Sequence, residues 1–284
     1  MTNELEMKVK FRSRKWATVL TAFCFYLDES ALEARTPLEF ARVPIKPGET
    51  ISAQVPLSVQ ERSYTAEGGN TPPPYAVAVL AVPLGFDPQK SWPVLIPIST
   101  DDFKRKNRDD LRDFYRAEAL AAGWVVLAGD GPEFPRHPGS GWRAGTILAA
   151  LDALYRSFPG ASKWPLATAG YSGGAKQSGF IAPLLALAGG RMIGIYLTGM
   201  NVDTLSTGYR SFGPGRGFLQ TPIFISGGQN DKVAPIHTQM AVNLGLKKTG
   251  FTRVRLETFK GSHVVKRAHV REALRWFREL DRGR

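Results

Sequence analysis

Cysteine is almost missing from this sequence, since Cys24 is the only one among 284 residues. A disulfide-stabilised small domain is therefore excluded, and a chain of this length can bury enough surface without disulfides. No apolar run reaches the ~20 residues that a membrane-spanning helix needs, so we expect no transmembrane segment in the mature chain. Repeats and low-complexity tracts are absent too, and 43% hydrophobic with 22% charged residues is typical of one large globular domain.

The N-terminal segment differs from the rest of the chain. An apolar stretch of twelve residues, 16–27, follows five basic residues, which are Lys8, Lys10, Arg12, Arg14 and Lys15. A basic segment before a short apolar one is typical of a secretory signal peptide. We therefore expect residues 1–34 to be a signal peptide, residues 35–284 to form the mature domain, and the protein to be secreted or periplasmic. An amphipathic helix packed on the domain is the alternative. Cys24 lies inside the apolar stretch and has no predicted function.

Within residues 1–34, acidic and basic residues are equal in number, so the formal net charge of +12 arises entirely from the rest of the chain. Such an excess can attract nucleic acid or anionic surfaces. The basic residues are scattered, however, and form no nucleic-acid-binding motif. We expect no specific nucleic-acid partner, and we interpret the charge as an aid to solubility.

From residue 92 onward, short apolar segments alternate with segments of helical length. Strands are predicted at residues 43–57, 75–82, 93–99, 124–128, 166–171, 192–197, 222–225 and 254–259, and helices at 109–122, 144–158 and 270–280. This alternation predicts an α/β fold with a mainly parallel central sheet flanked by helices. The Gly- and Ser-rich segment 200–219 is predicted as a loop that is too short for a large lid. In such folds, functional loops follow the carboxyl ends of the strands.

A candidate nucleophile follows one of these predicted strands. The sequence Gly-Tyr-Ser-Gly-Gly, with Ser172 at its centre, matches G-x-S-x-G between a strand and a helix. This context places the serine on a strained turn, where the flanking glycines avoid collisions. Its hydroxyl then lies at a helix N-terminus, which favours negative charge. The alternative is an ordinary serine in a glycine-rich turn. A nucleotide-binding loop is disfavoured because G-x-x-x-x-G-K-[ST] is not present there.

A serine hydroxyl needs a base, and the chain has four histidines. His263 follows the predicted strand 254–259 on a loop before the last helix, so it is the predicted base. His137 lies in a Pro- and Gly-rich loop; we expect it to be exposed, and the alternative is that it lines the site. His269, within the last helix, is expected to be a surface residue. His237 lies near the start of another predicted helix.

A carboxylate is needed to orient the base, and two aspartates follow predicted strands. Asp231 comes after strand 222–225, and Asp203 comes after the preceding strand. Either can be a helix cap or turn former, so neither is persuasive alone. We expect Asp231 to be the partner of His263. The resulting order of Ser172, Asp231 and His263 along the chain is that of one particular class of serine hydrolases.

With these motifs, residues 75–280 resemble the α/β-hydrolase superfamily. The resemblance rests on GYSGG around Ser172, GGQNDKVAP around Asp231 and FKGSH around His263. The chain is similar to polyhydroxybutyrate-depolymerase-like and feruloyl-esterase-like enzymes, or to prolyl-oligopeptidase-like hydrolases. The resemblance implies an α/β-hydrolase fold without a large lid domain. It also implies hydrolysis of small or polymeric carboxylic esters through an acyl-enzyme, with neither cofactor nor metal. A serine peptidase and a non-catalytic binding protein of this fold are the alternatives.

The resemblance also implies an oxyanion hole, and one part of it departs from the family pattern. The backbone N–H of Gly173, which follows the nucleophile, is the first expected donor. Many related esterases carry a His-Gly segment after the strand that corresponds to residues 93–99. Here the sequence is Ser99-Thr100-Asp101-Asp102, without glycine. The backbone of Ser99 or Thr100 is therefore the expected second donor.

Overall fold

A computed structural model describes residues 38–100 and 102–283. The predicted signal peptide lies outside these residues and stays a prediction. The strands are β1 (Glu39–Phe40), β2 (Val43–Pro44), β3 (Thr50–Val55), β4 (Ala76–Ala81), β5 (Val94–Ile98), β6 (Val125–Asp130), β7 (Leu166–Tyr171), β8 (Met192–Thr198), β9 (Ile223–Gly228) and β10 (Val254–Phe259). Strands β1 and β2 form an antiparallel pair, and the others form an eight-stranded sheet in the order β10-β9-β8-β7-β5-β6-β4-β3.

The sheet is mainly parallel, as the sequence predicts. Strands β5 to β10 pair parallel with one another, whereas β4 pairs antiparallel with both β3 and β6. All five residues of β5 are buried. Val94 and Ile96 pack into the core on one face, and Leu95 packs into the core on the other. Burial on both faces explains why inner parallel strands such as β5 appear in the sequence as continuous apolar runs.

Helices cover both faces of the sheet. They are α1 (Val59–Thr65), α2 (Asn107–Asp110), α3 (Arg116–Ala121), α4 (Ser140–Ser157), α5 (Gly173–Leu187), α6 (Thr204–Phe212), α7 (Ile236–Thr249) and α8 (Arg267–Arg282). A π-helical turn, Leu111–Tyr115, joins α2 to α3. Helices α4, α5 and α7 contribute to one core, while α3 and α8 contribute to the other. None of the helices in the described ranges has the length and apolar character needed to cross a bilayer.

The prediction of a loop over residues 200–219 is wrong in part, because this segment contains helix α6. Asp203 caps the helix by accepting a hydrogen bond from the Ser206 N–H at 2.9 Å. Two glycines allow α6 to lie close to α5: a Cβ at Gly179 would be 3.2 Å from Leu205, and one at Gly208 would be 2.6 Å from the Phe180 carbonyl oxygen. Packing against α5 therefore stabilises a helix with weak local propensity. Between β8 and β9 the chain forms only α6 and a short 3₁₀ turn, Arg216–Gln220, so this segment forms no large lid.

The carboxyl ends of the parallel strands lie level with one another. Tyr171 at the end of β7 pairs with Thr198 of β8, and Thr198 pairs with Ser226 of β9. Strand β10 continues the same alignment on β9, and β5 does so on the other side of β7. The residues that follow these strands therefore emerge at one end of the sheet: Thr100, Ser172, Gly199, Asp231 and His263.

Candidate active site

Ser172 occupies a tight turn between β7 and α5. Its backbone angles, φ 57° and ψ −120°, are strained for a residue with a side chain. The Ser172 N–H donates to the Thr198 carbonyl oxygen at 2.9 Å, which anchors the turn to the neighbouring strand. A Cβ at Gly170 would overlap the carbonyl oxygen of Gly174, so this position of the motif requires glycine. The structure places Ser172 at the strained strand-to-helix turn that the motif predicts.

Asp231 and His263 form a hydrogen-bonded pair at the same end of the sheet. His263 Nδ1 lies 2.7 Å from Asp231 Oδ2. The other carboxylate oxygen accepts hydrogen bonds from the backbone N–H groups of Val233 and Ala234, both at 2.8 Å. Only 5% of Asp231 is exposed, so the pair is largely removed from water, where a hydrogen bond to a charge is strong. Asp203, the alternative acid, instead caps α6.

The second ring nitrogen of His263 is available. Nε2 is buried and has no hydrogen-bond partner among the described residues. In the tautomer whose Nδ1–H donates to the carboxylate, Nε2 carries the lone pair of the imidazole. The imidazole ring lies 4.8 Å from the ring of Tyr171, the residue before Ser172. An unpaired buried acceptor is uncommon in folded proteins. Its presence beside the turn of Ser172 fits a group that receives a proton.

Two residues that support His263 were missed by sequence reasoning. Gly199, which follows β8, has φ +63°, and a Cβ there would lie 2.7 Å from His263 Cε1 and 3.0 Å from Nδ1. The Tyr171 hydroxyl donates to the His263 carbonyl oxygen at 2.7 Å. Burial, together with the charge of Asp231, raises the pKa of Tyr171, so its phenol remains a donor. Nothing in the local sequence marks either contact, because the partners are distant along the chain.

The remaining histidines lie elsewhere. His137 is exposed, as predicted, and His237 is exposed as well. His269, predicted as a surface residue, is half-buried, and its Nδ1 lies 2.9 Å from Ser226 Oγ. Burial lowers the pKa of His269. The physical reason is that its position on α8 is turned toward β9, which the sequence of the helix alone does not reveal.

The loop after β5 approaches the nucleophile turn through Thr100. A Cβ at Gly173 would overlap the Thr100 hydroxyl, so the two predicted oxyanion positions are in contact. Ser99 is fully buried, and its backbone N–H donates to Asn107 Oδ1 at 2.9 Å. This engagement excludes the Ser99 N–H as an oxyanion donor, which corrects one of the two expected alternatives. Thr100 is left as the candidate for the second donor.

A small crevice of about 20 Å³ lies beside this loop. Aromatic and charged side chains line it, among them Phe103, Lys106, Phe134, Trp142 and Arg143. Phe103 and Phe134 meet edge to face, with ring centroids 6.1 Å apart.

In the part of the chain that the structure describes, no group of three or more His, Cys, Asp or Glu side chains is arranged to hold a metal ion.

The sequence matches no protein-family profile and no curated protein, whereas many solved structures are similar. Est1E from Butyrivibrio proteoclasticus is 15% identical, with a TM-score of 0.54 over 82% of this chain and 99% of that protein. A dienelactone hydrolase from Anabaena variabilis is 15% identical, with a TM-score of 0.53 over 81% of this chain and 97% of the other. XC6422 from Xanthomonas campestris, an α/β serine hydrolase without a lid, is 14% identical, with a TM-score of 0.53 over 84% and 97%. This likeness confirms the α/β-hydrolase fold.

Proposed function

We propose that this chain, which has the α/β-hydrolase fold, is a serine hydrolase that cleaves carboxylic esters. The observation that carries the proposal is the pair of His263 and the buried Asp231, joined at 2.7 Å, with the His263 ring 4.8 Å from the ring of Tyr171, the residue before Ser172. Nucleophile, base and orienting acid are the three roles that acyl transfer by a serine needs. The names of the structural neighbours, which include esterases and a dienelactone hydrolase, add support for ester substrates over peptides.

The proposed reaction has two halves. Ser172 Oγ attacks the ester carbonyl carbon while its proton passes to His263 Nε2, the nitrogen that is unpaired among the described residues. When the tetrahedral intermediate collapses, the bond to the alcohol oxygen breaks and the alcohol leaves with that proton. Water then attacks the acyl-enzyme, again giving a proton to His263. The acid is released when that proton returns to Ser172 Oγ.

Each supporting group acts on charge that develops during this reaction. Asp231 holds Nδ1–H of His263, which fixes the tautomer and stabilises the imidazolium. The backbone N–H of Gly173 and that of Thr100 would donate to the oxyanion of the tetrahedral intermediate. Loss of one such donor typically lowers turnover by about 10²–10³-fold. Helix α5 begins at Gly173, so the partial positive charge of its N-terminus would also stabilise the oxyanion.

A fluorophosphonate probe tests the proposal, because it reacts only with an activated serine hydroxyl. We expect the wild-type protein to be labelled at Ser172 and to hydrolyse p-nitrophenyl esters. The Ser172→Ala variant should fold normally and lose labelling and nearly all activity, since the attacking group is gone. Activity above a few per cent in a folded Ser172→Ala variant would contradict the assignment. Parallel assays on feruloyl esters, acetylated sugars and aminoacyl amides separate esterase from peptidase activity.

We also propose that the protein acts outside the cytoplasm. Support for export comes from the basic segment and the apolar stretch at residues 16–27. Esters of small molecules or polymers in that compartment would then be its substrates.

A further inference from the structure

Arg143 is a buried cation next to the loop that carries Thr100. It lies in the first turn of α4 and is only 7% exposed. Its Nη1 donates to Asn107 Oδ1 at 2.9 Å, and its Nη2 donates to the carbonyl oxygen of Thr100. A second, longer contact of 3.4 Å joins Nη2 to the Arg105 carbonyl oxygen. The guanidinium therefore spans both ends of the segment between β5 and α2.

The acceptors of Arg143 are themselves held in place. Asn107 is fully buried, and its Nδ2 donates to the Gly129 carbonyl oxygen at 2.8 Å. The Asn107 N–H donates to Asp130 Oδ1 at 2.8 Å, at the end of β6. The same Asn107 Oδ1 that accepts from Arg143 also accepts from the Ser99 N–H. Asn107, the first residue of α2, is therefore tied both to β6 and to the loop after β5.

These contacts anchor the two peptide groups on either side of Thr100. The Ser99 N–H is fixed before it by Asn107, and the carbonyl of Thr100 is fixed after it by Arg143. Because peptide groups are planar, fixing these atoms restricts the few torsions that orient the Thr100 N–H. On its other side, Thr100 lies against Gly173. Arg143 thus holds Thr100 at the nucleophile turn.

We propose that Arg143 is a positioning residue for the oxyanion hole. By binding the backbone carbonyl oxygen of Thr100, Arg143 orients the Thr100 N–H toward the carbonyl oxygen of the reacting ester. The inference rests on the proposed serine hydrolase function. Arginine suits the role because its planar fork presents donors to two acceptors at once, whereas the lysine ammonium is a compact point charge. Sequence reasoning missed it because residues 140–143 were not included in the predicted helix 144–158.

The test compares Arg143→Lys and Arg143→Gln with wild type on a p-nitrophenyl ester. Lysine keeps the charge that balances the buried Asp130 but loses the fork, so this variant is expected to fold. We expect kcat to fall about 10–100-fold with KM changed less than about threefold, since a misplaced group costs turnover more than binding. The Ki of an alkyl boronic acid, which forms a tetrahedral adduct on the serine, should weaken by the same factor. Arg156→Lys, in an exposed ion pair on the same helix, is the matched control and should keep wild-type kcat.

Each remaining outcome overturns the inference or the proposed function separately. A folded Arg143→Lys variant with kcat within twofold of wild type would overturn the positioning role. A fall in kcat without weaker boronic acid binding would do the same, because the oxyanion hole would then be intact. If neither variant folds, Arg143 is needed for the fold and not specifically for Thr100, which also contradicts the inference. A wild-type protein that is inactive and unlabelled by fluorophosphonate would instead refute the proposed function.

Discussion

Replacing Asp231 by asparagine is the sharpest test of the proposed acid, because the change keeps the shape of the side chain. The amide oxygen can still accept the N–H groups of Val233 and Ala234, so the loop should stay in place. The amide nitrogen would then stand where Oδ2 now lies, 2.7 Å from His263 Nδ1. An amide NH₂ group donates, so Nδ1 must accept and the ring proton moves to Nε2. In that tautomer Nε2 can no longer take the proton of Ser172.

The expected loss follows from this change of tautomer. In a well-studied serine protease the same substitution lowers turnover about 10⁴-fold, which corresponds to about 5.4 kcal/mol of transition-state stabilisation. We expect kcat of Asp231→Asn on a p-nitrophenyl ester to fall by several orders of magnitude, with KM little changed.

The matched control is Asp203→Asn. Asn and Asp are equally good N-caps, so the cap of α6 is kept and activity should stay within about threefold of wild type. Circular dichroism checks that both variants fold. If Asp203→Asn is the inactive variant and Asp231→Asn keeps its activity, the proposed assignment of the acid is wrong.

Two further substitutions probe the surroundings of the site. Gly199→Ala should lower both kcat and stability, because its Cβ would lie 2.7 Å from His263 Cε1. Gly189→Ala is the matched control, because Gly189 also has a positive φ (+91°) but an added Cβ would have no atom within 4 Å. This variant should lose only about 1–2 kcal/mol of stability through backbone strain and keep the wild-type kcat. Equal kcat in the two variants would contradict the steric argument. His269→Asn tests a pH effect. Burial lowers the pKa of His269 in the folded state, whereas in the unfolded state the pKa keeps its usual value of about 6.5. Below pH 6.5 the unfolded state therefore binds more protons at this residue than the folded state does. Wild type should therefore lose stability relative to His269→Asn as pH falls below 6.5, measured by urea unfolding, and a flat or opposite difference would refute this.

Much of the sheet could be predicted from sequence because its inner strands are buried on both faces. Strand β7 has the predicted bounds, residues 166–171, since it is a buried apolar or β-branched segment between polar turns. Strand β10, at the edge of the sheet, also has its predicted bounds, residues 254–259, where Val254, Leu256 and Thr258 alternate with the charged residues Arg255 and Glu257. Helix α6 could not be predicted in the same way. It depends on Gly179 and Gly208, which allow close packing against α5, and this neighbour is known only from the folded chain.

In the candidate site too, local features could be predicted from sequence, whereas contacts between distant residues could not. The G-x-S-x-G motif and the strand before it are local, so they identify Ser172 and its strained turn from sequence alone. Two aspartates follow strands, and their local sequences are both typical of turns and caps. Only the folded structure shows that Asp231 contacts His263 while Asp203 caps α6.

The sequence by itself determined the class of the fold, the turn of Ser172 and the order of the three proposed catalytic residues, because each depends on short-range patterns of apolar and glycine residues. Tertiary structure decided which groups meet across the sheet. Asn107 engages the Ser99 N–H, Arg143 binds the Thr100 carbonyl, and Gly199 leaves room for His263. These contacts join residues eight to 64 positions apart, and no local pattern records them, since hydrogen bonds and close approaches depend on where separate elements pack.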